Sequence, residues 1–194
     1  MFFKKGMLML LVLTAAISVN AQFRRLDTTV QVGKSGYRIS TNNKNTDKNS
    51  VTVKPIGFEK DARDVNIEVK GRIKSVEVDD LNGDGFPDVL MYVYNGEDNA
   101  YGTVFAISSQ GNQNMRPIYF PDILDDPKLR AGYKGHDQFM LMEGTLIRRF
   151  PVYNTADSAH VAPSGTIRGI QYNVVNGDGG QPKFKVIRSY ESQQ

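Results

Sequence analysis

Apolar and polar residues alternate along this chain in short runs, and clusters of Gly, Asn, Asp and Pro separate the runs. Period-two alternation places one set of side chains against a core and the other in water, so each run predicts a half-buried strand. The runs are "TVQVG", "YRIS", "VTVK", "VNIEV", "IKSVEV", "VLMYVY", "GTVFAIS", "DQFMLM", "TLIRRF", "IRGIQYNVV" and "KFKVIRSY". One of them, "VLMYVY" at 89–94, is apolar throughout and predicts a central strand covered on both faces. The polar tract "STNNKNTDKNS" at 40–50 predicts a loop or a loosely held hairpin end. "MEGTL" predicts a tight turn at Glu143-Gly144. After "PDILD", Asp126 as cap, Pro127 in the first turn and Gly132 as terminator predict one short helix. Together these elements predict an all-β fold: an antiparallel β-sandwich or flattened barrel with at most one or two short helices.

Residues 1–21 stand apart from this pattern. Lys4 and Lys5 precede a mostly apolar run from Met7 to Val19, and small residues lead to a cut near Ala21. This layout predicts a secretory signal peptide, because the run falls short of the roughly 20 residues that a spanning helix needs. A single β-rich domain over 22–194, exported to the periplasm or beyond the cell and without a membrane span, is therefore expected. The chain has no Cys, so its core must form without disulfides.

Charge changes the picture in one region. Residues 22–194 carry 22 Lys and Arg against 21 Asp and Glu, yet residues 75–126 hold 1 basic and 10 acidic side chains. Such a segment repels nucleic acid and attracts a cation or a basic protein, unless it is only a solvated acidic stretch. Within it, "DLNGDGFPD" sets Asp80, Asn82 and Asp84 at alternate positions, Phe86 to offer a carbonyl, and Asp88 at the ninth place. That spacing aims hard oxygen ligands at one centre, as a calcium loop does. Met91 stands where an EF-hand has its bidentate Glu, and strands rather than helices flank the loop. The chain repeats "NGDG" at Asn176–Gly179, where Val174 and Pro182 replace the outer carboxylates. The second copy suffices for a hairpin turn, so Asp80 and Asp88 are expected to do more: hold structural Ca2+, or bond the loop's own amides in a metal-free turn.

No catalytic constellation is visible, and no enzyme is expected. There are two His residues, His136 and His160, and no G-x-S-x-G turn surrounds any Ser, including Ser164 before Gly165. His136 is expected to be a hydrogen-bonded structural residue. Arg148-Arg149 predicts either a basic surface patch or an internal ion pair with the acidic segment.

Three stretches in order, "VEVDDLNGDGFPDVLMYV", "GYKGHDQFMLMEGTLIRRFPVY" and "APSGTIRGIQY", resemble the periplasmic inhibitors of invertebrate-type (I-type) lysozymes. The resemblance runs from about residue 73 to 190. It implies a β-sandwich-like fold and a partner-binding loop that occludes a lysozyme's substrate cleft and so protects peptidoglycan. In that family the loop has the pattern S-G-x-Y between two strands. Here "NGEDNAYG" occupies the place, which assigns partner binding to Asp98, Asn99, Ala100 and Tyr101, with Asp98 and Asn99 where Ser and Gly would stand. Ser35-Gly36-Tyr37 lies outside the matching region with its Tyr one residue early, and receives no binding role. The alternative is a calcium-stabilised envelope module with another protein or glycan partner. Oligomeric state is not assigned.

Overall fold

The computed structural model describes residues 25–59, 62–96, 100–154 and 162–193. Among the described residues, twelve strands form three four-stranded antiparallel sheets, each a meander in chain order. The first sheet holds β1 (Leu26–Val32), β2 (Ser35–Thr41), β3 (Asn49–Ile56) and β4 (Val65–Val69). The second holds β5 (Arg72–Asp79), β6 (Asp88–Asn95), β7 (Tyr101–Gln110) and β8 (Asn114–Ile118). The third holds β9 (Gln138–Met142), β10 (Thr145–Asn154), β11 (Ala162–Asn176) and β12 (Pro182–Gln193). No sheet closes on itself, so of the two expected architectures the sandwich is the one formed.

The second sheet lies in the middle, and β6 shows why. Alternate side chains on a strand point to opposite faces. Leu90, Tyr92 and Tyr94 join Leu146, Phe150, Ile170, Tyr172 and Phe184 in a core shared with the third sheet. Val89, Met91 and Val93 join Tyr37, Ile39, Val51 and Val53 in a core shared with the first. Seven of the eight β6 residues are buried, which is why an unbroken apolar run was needed there. At about 1.5–3 kcal/mol for each large apolar side chain buried, this strand anchors both cores. The family-like region from residue 73 onward coincides with the second and third sheets, and residues 26–69 build the first.

All eleven expected runs are strands. β8 carries no alternating apolar pattern, because Asn114, Arg116 and Pro117 interrupt it, and Pro is tolerated in such a strand at a sheet edge. The Glu143-Gly144 turn is present, with φ of 47° and 73° between the paired residues Met142 and Thr145. The second NGDG copy joins β11 to β12 through a 3-10 turn at Asp178–Gly180.

One local expectation is corrected. No helix starts at Asp126. A 3-10 turn at Ile123–Asp125 is capped by Asp122, and Asp126 closes only a single turn by accepting from the Lys128 and Leu129 amides at 2.8 and 3.1 Å. Arg168 then holds that turn non-helical, donating to the Leu129 and Ala131 carbonyls at 2.7 Å each. At 40–50 the expected loop forms, over 42–48, and the alternative of a loosely held hairpin end does not. The Asn43 amide accepts from the Ile73 N–H at 2.7 Å and donates to the Ile73 carbonyl at 2.8 Å, substituting for a strand neighbour at the bulge of β5.

Candidate functional site

The β6–β7 hairpin presents two ends with different chemistry, separated by the length of β6, about 24 Å at 3.4 Å per residue. Glu77, Asp79, Asp80, Asp84 and Asp88 belong to the loop end, whereas Tyr101 belongs to the other.

At the loop end, the sequence spacing produces a dense set of hydrogen bonds. Asp80 accepts from the amides of Gly83 (2.8 Å), Asp84 (3.0 Å) and Gly85 (2.8 Å). Asn82 accepts from the Asp84 amide at 2.9 Å and donates to the Ser108 hydroxyl at 3.0 Å. Asp84 accepts from the Phe86 amide at 2.9 Å. Asp88 is fully buried at the start of β6, where its two oxygens accept from the Ser109 and Leu81 amides at 2.7 and 3.1 Å. Burial, together with the nearby Asp84 carboxylate, pushes its pKa up to about 7 against the pull of those bonds.

The donors are hard oxygens of the kind that calcium takes. The arrangement described is one in which these oxygens face backbone amides, and among the described residues no group of three or more His, Cys, Asp or Glu converges on a metal position. Asp79 went unassigned in the sequence. It accepts from the Gly144 amide at 2.9 Å and so ties this loop to the β9–β10 turn. Tyr37, of the disregarded Ser-Gly-Tyr, is buried in the core and donates to the Pro87 carbonyl at 2.8 Å.

At the opposite end, Asp98 and Asn99 lie outside the described residues, while Ala100 leads into β7 at Tyr101. The Tyr101 side chain is 48% exposed. Its ring is bounded on two sides by backbone that carries no side chain: a Cβ added at Gly96 or Gly135 would stand 3.1 Å from it. Tyr133 meets it edge-on, with ring centroids 6.3 Å apart. The Ala100 carbonyl accepts from the His136 amide. His136 is thus hydrogen-bonded as expected, through its backbone at φ 61°, while the exposed imidazole stacks on Tyr153.

Beneath Tyr101 sits a buried ionic network that sequence reasoning only half anticipated. Arg148 points inward from β10 and its Nε donates to Asp137 at 2.7 Å, with both side chains almost wholly buried. The other Asp137 oxygen accepts from the Tyr133 hydroxyl at 2.6 Å and from the Gly102 amide at 2.8 Å. Arg148 also donates to the Gly102 carbonyl at 3.2 Å and to the Tyr133 hydroxyl at 3.0 Å. The rings of Tyr133 and Phe139 flank the guanidinium, 5.2 and 5.5 Å from its centre. Burial opposes the Arg148 charge, but Asp137 outweighs it and holds the pKa above the ordinary value.

Arg148 thus pairs with Asp137, outside the 75–126 segment, while Arg149 is exposed. Gly102 has no room for a side chain, since a Cβ would come within 2.7–2.9 Å of Asp137, Phe139 and Tyr94. The "GYKGHDQF" and "RRF" stretches therefore converge on the residue after Tyr101. Ser164 donates to the Val152 carbonyl at 2.8 Å.

A cleft of about 620 Å³ opens beside Tyr101, with Tyr133 and Phe120 among its walls. Fold and site define a class: a layered antiparallel β protein that displays a half-exposed tyrosine at the end of a rigidly mounted hairpin. A scan against protein-family models returns no match, and a search of curated proteins returns none either.

Proposed function

We propose that this chain is an exported lysozyme inhibitor-like protein of the periplasm or cell exterior. It binds a lysozyme, of the I-type on the sequence resemblance, through the β6–β7 connection and occludes the active-site cleft without catalysing a reaction. One observation carries the reading. The residues of the family-like stretches, Tyr133, Asp137 and Arg148, form the buried mount beneath Gly102 and so present the neighbouring Tyr101 to solvent. A rigid, exposed aromatic is the kind of anchor that dominates binding at interfaces. The purified protein is expected to slow cell-wall lysis by an I-type lysozyme at micromolar concentration, and Tyr101→Ala is expected to weaken that effect at least about tenfold, the scale of an interface hot spot. A panel of lysozyme types all left unaffected would overturn the proposal.

A second reading is favoured by charge: Lys70 and Lys134 line the cleft beside Tyr101, and a basic lysozyme would gain nothing from them. In that reading the same hairpin serves a different protein or glycan in the envelope. A pull-down from envelope extract that returned only lysozyme would count against it.

Calcium is proposed separately as a structural ligand of Asp80, Asn82, Asp84, Asp88 and the Phe86 carbonyl. EDTA is expected to lower the melting temperature of the calcium-loaded protein, and Asp84→Ala to remove that shift. A melting curve indifferent to both calcium and EDTA would leave the loop as a turn held by its own amides.

A further inference from the structure

We propose that the cleft beside Tyr101 is a binding site for an anionic saccharide. At about 620 Å³ it falls within the roughly 300–1,000 Å³ of small-ligand sites, and aromatic rings share its lining with polar and charged side chains. Three rings, Tyr101, Tyr133 and Phe120, supply flat apolar faces for the C–H face of a pyranose. They are fixed before any ligand arrives. Tyr133 is held by Asp137 and Arg148, and Phe120 packs against Tyr172 and Phe184 with centroids 5.1 and 5.5 Å away.

Asn95 and Thr103 add groups that both donate and accept, as ring hydroxyls require. Two lysines line the cleft from different walls: Lys70 from the β4–β5 turn and Lys134 from the segment before β9. Lys74 lies over the neighbouring Tyr94 ring, 5.1 Å from its centroid, and adds to the same positive field. Among the described residues the lining holds one carboxylate, Asp122, against the two lysines, and one of its oxygens accepts from the Leu124 amide at 2.9 Å. Rings select a sugar over an inorganic anion, and the lysines select a carboxylate-bearing sugar over a neutral one.

Calorimetric titration of the purified protein, with no lysozyme present, separates this proposal from inhibition, since either result can fail without the other. Three probes are used: a disaccharide containing N-acetylmuramic acid, a digalacturonate, and neutral N,N′-diacetylchitobiose. At least one acidic probe is expected to bind about tenfold or more tightly than the neutral one, a difference of roughly 1.4 kcal/mol. Preference for the muramic probe assigns the ligand to cell-wall glycan, and preference for the uronate assigns it to acidic polysaccharide. Replacing the exposed Lys70 and Lys134 together by Ala is expected to remove the preference without changing the melting temperature. Tyr101→Ala is expected to weaken every probe. The proposal is overturned if neither acidic probe binds at millimolar concentration, if the neutral probe binds equally well, or if the double lysine variant keeps the preference.

Discussion

Arg148→Ala is expected to destabilise the protein by about 3–5 kcal/mol, the usual cost of removing one partner from a buried ion pair. For a chain of this size that corresponds to a fall of roughly 6–20 °C in melting temperature. The cause lies less in the lost attraction than in what remains. The buried Asp137 is left, among the described residues, with the Tyr133 hydroxyl and the Gly102 amide as its hydrogen-bond donors. The Gly102 carbonyl loses a donor at the same time. Arg148→Lys is expected to be intermediate, because an ammonium keeps the charge but lacks the fork that reaches Asp137, Tyr133 and Gly102 together. Arg149→Ala, one residue along the strand and exposed, is expected to change stability by no more than about 0.5 kcal/mol. Chemical denaturation of the three variants provides the measurement. Equal small losses for Arg148→Ala and Arg149→Ala would show that the network does not mount the hairpin.

The second large effect is expected at Asp88. Asp88→Ala leaves the buried Leu81 and Ser109 amides without an acceptor, at about 1–3 kcal/mol for each unsatisfied group. The loss should depend on pH, and the sign follows from the raised pKa. Between 3.8, the ordinary value, and about 7, the folded chain keeps a proton on this carboxyl that the unfolded chain has released. The stability contributed in this way is complete below about 4 and declines as pH rises through 7. Asp88→Ala is therefore expected to cost more at pH 5 than at pH 8. Asp88→Asn, which cannot ionise, should flatten the pH dependence while lowering the curve, since its amide nitrogen must face one of two donors. A cation in the loop would favour the charged carboxylate, so added calcium should flatten the wild-type curve too. Wild-type stability unchanged between pH 4 and 8, with or without calcium, would remove both effects.

Much of the architecture was legible in local pattern because strands announce themselves over five to ten residues through alternation and turn chemistry. The run at 89–94 declared its own double burial, and Glu143-Gly144 declared its turn. β8 did not, because a short edge strand with Pro117 is tolerated by what it pairs with rather than by its composition. The expected helix failed for a related reason. Asp126 caps whatever follows it, but Arg168, distant in sequence, captures the carbonyls that another helical turn would have used.

At the candidate site, sequence spacing alone determined that Asp80, Asn82, Asp84 and Asp88 share one loop, since alternate residues around glycines can hardly do otherwise. It also placed Tyr101 in the connection before the strand run at 102–108, and the structure starts β7 at Tyr101 itself. Only the tertiary structure decided that Glu77, Asp79, Asp80, Asp84 and Asp88 gather at one end of the hairpin with Tyr101 at the other, because charge counted along a chain takes no account of a strand's length. Only the tertiary structure, too, decided that Asp137 and Arg148 meet under Gly102. Their pairing joins residues 11 positions apart to a backbone 35 residues from Asp137, and no local periodicity encodes such a meeting.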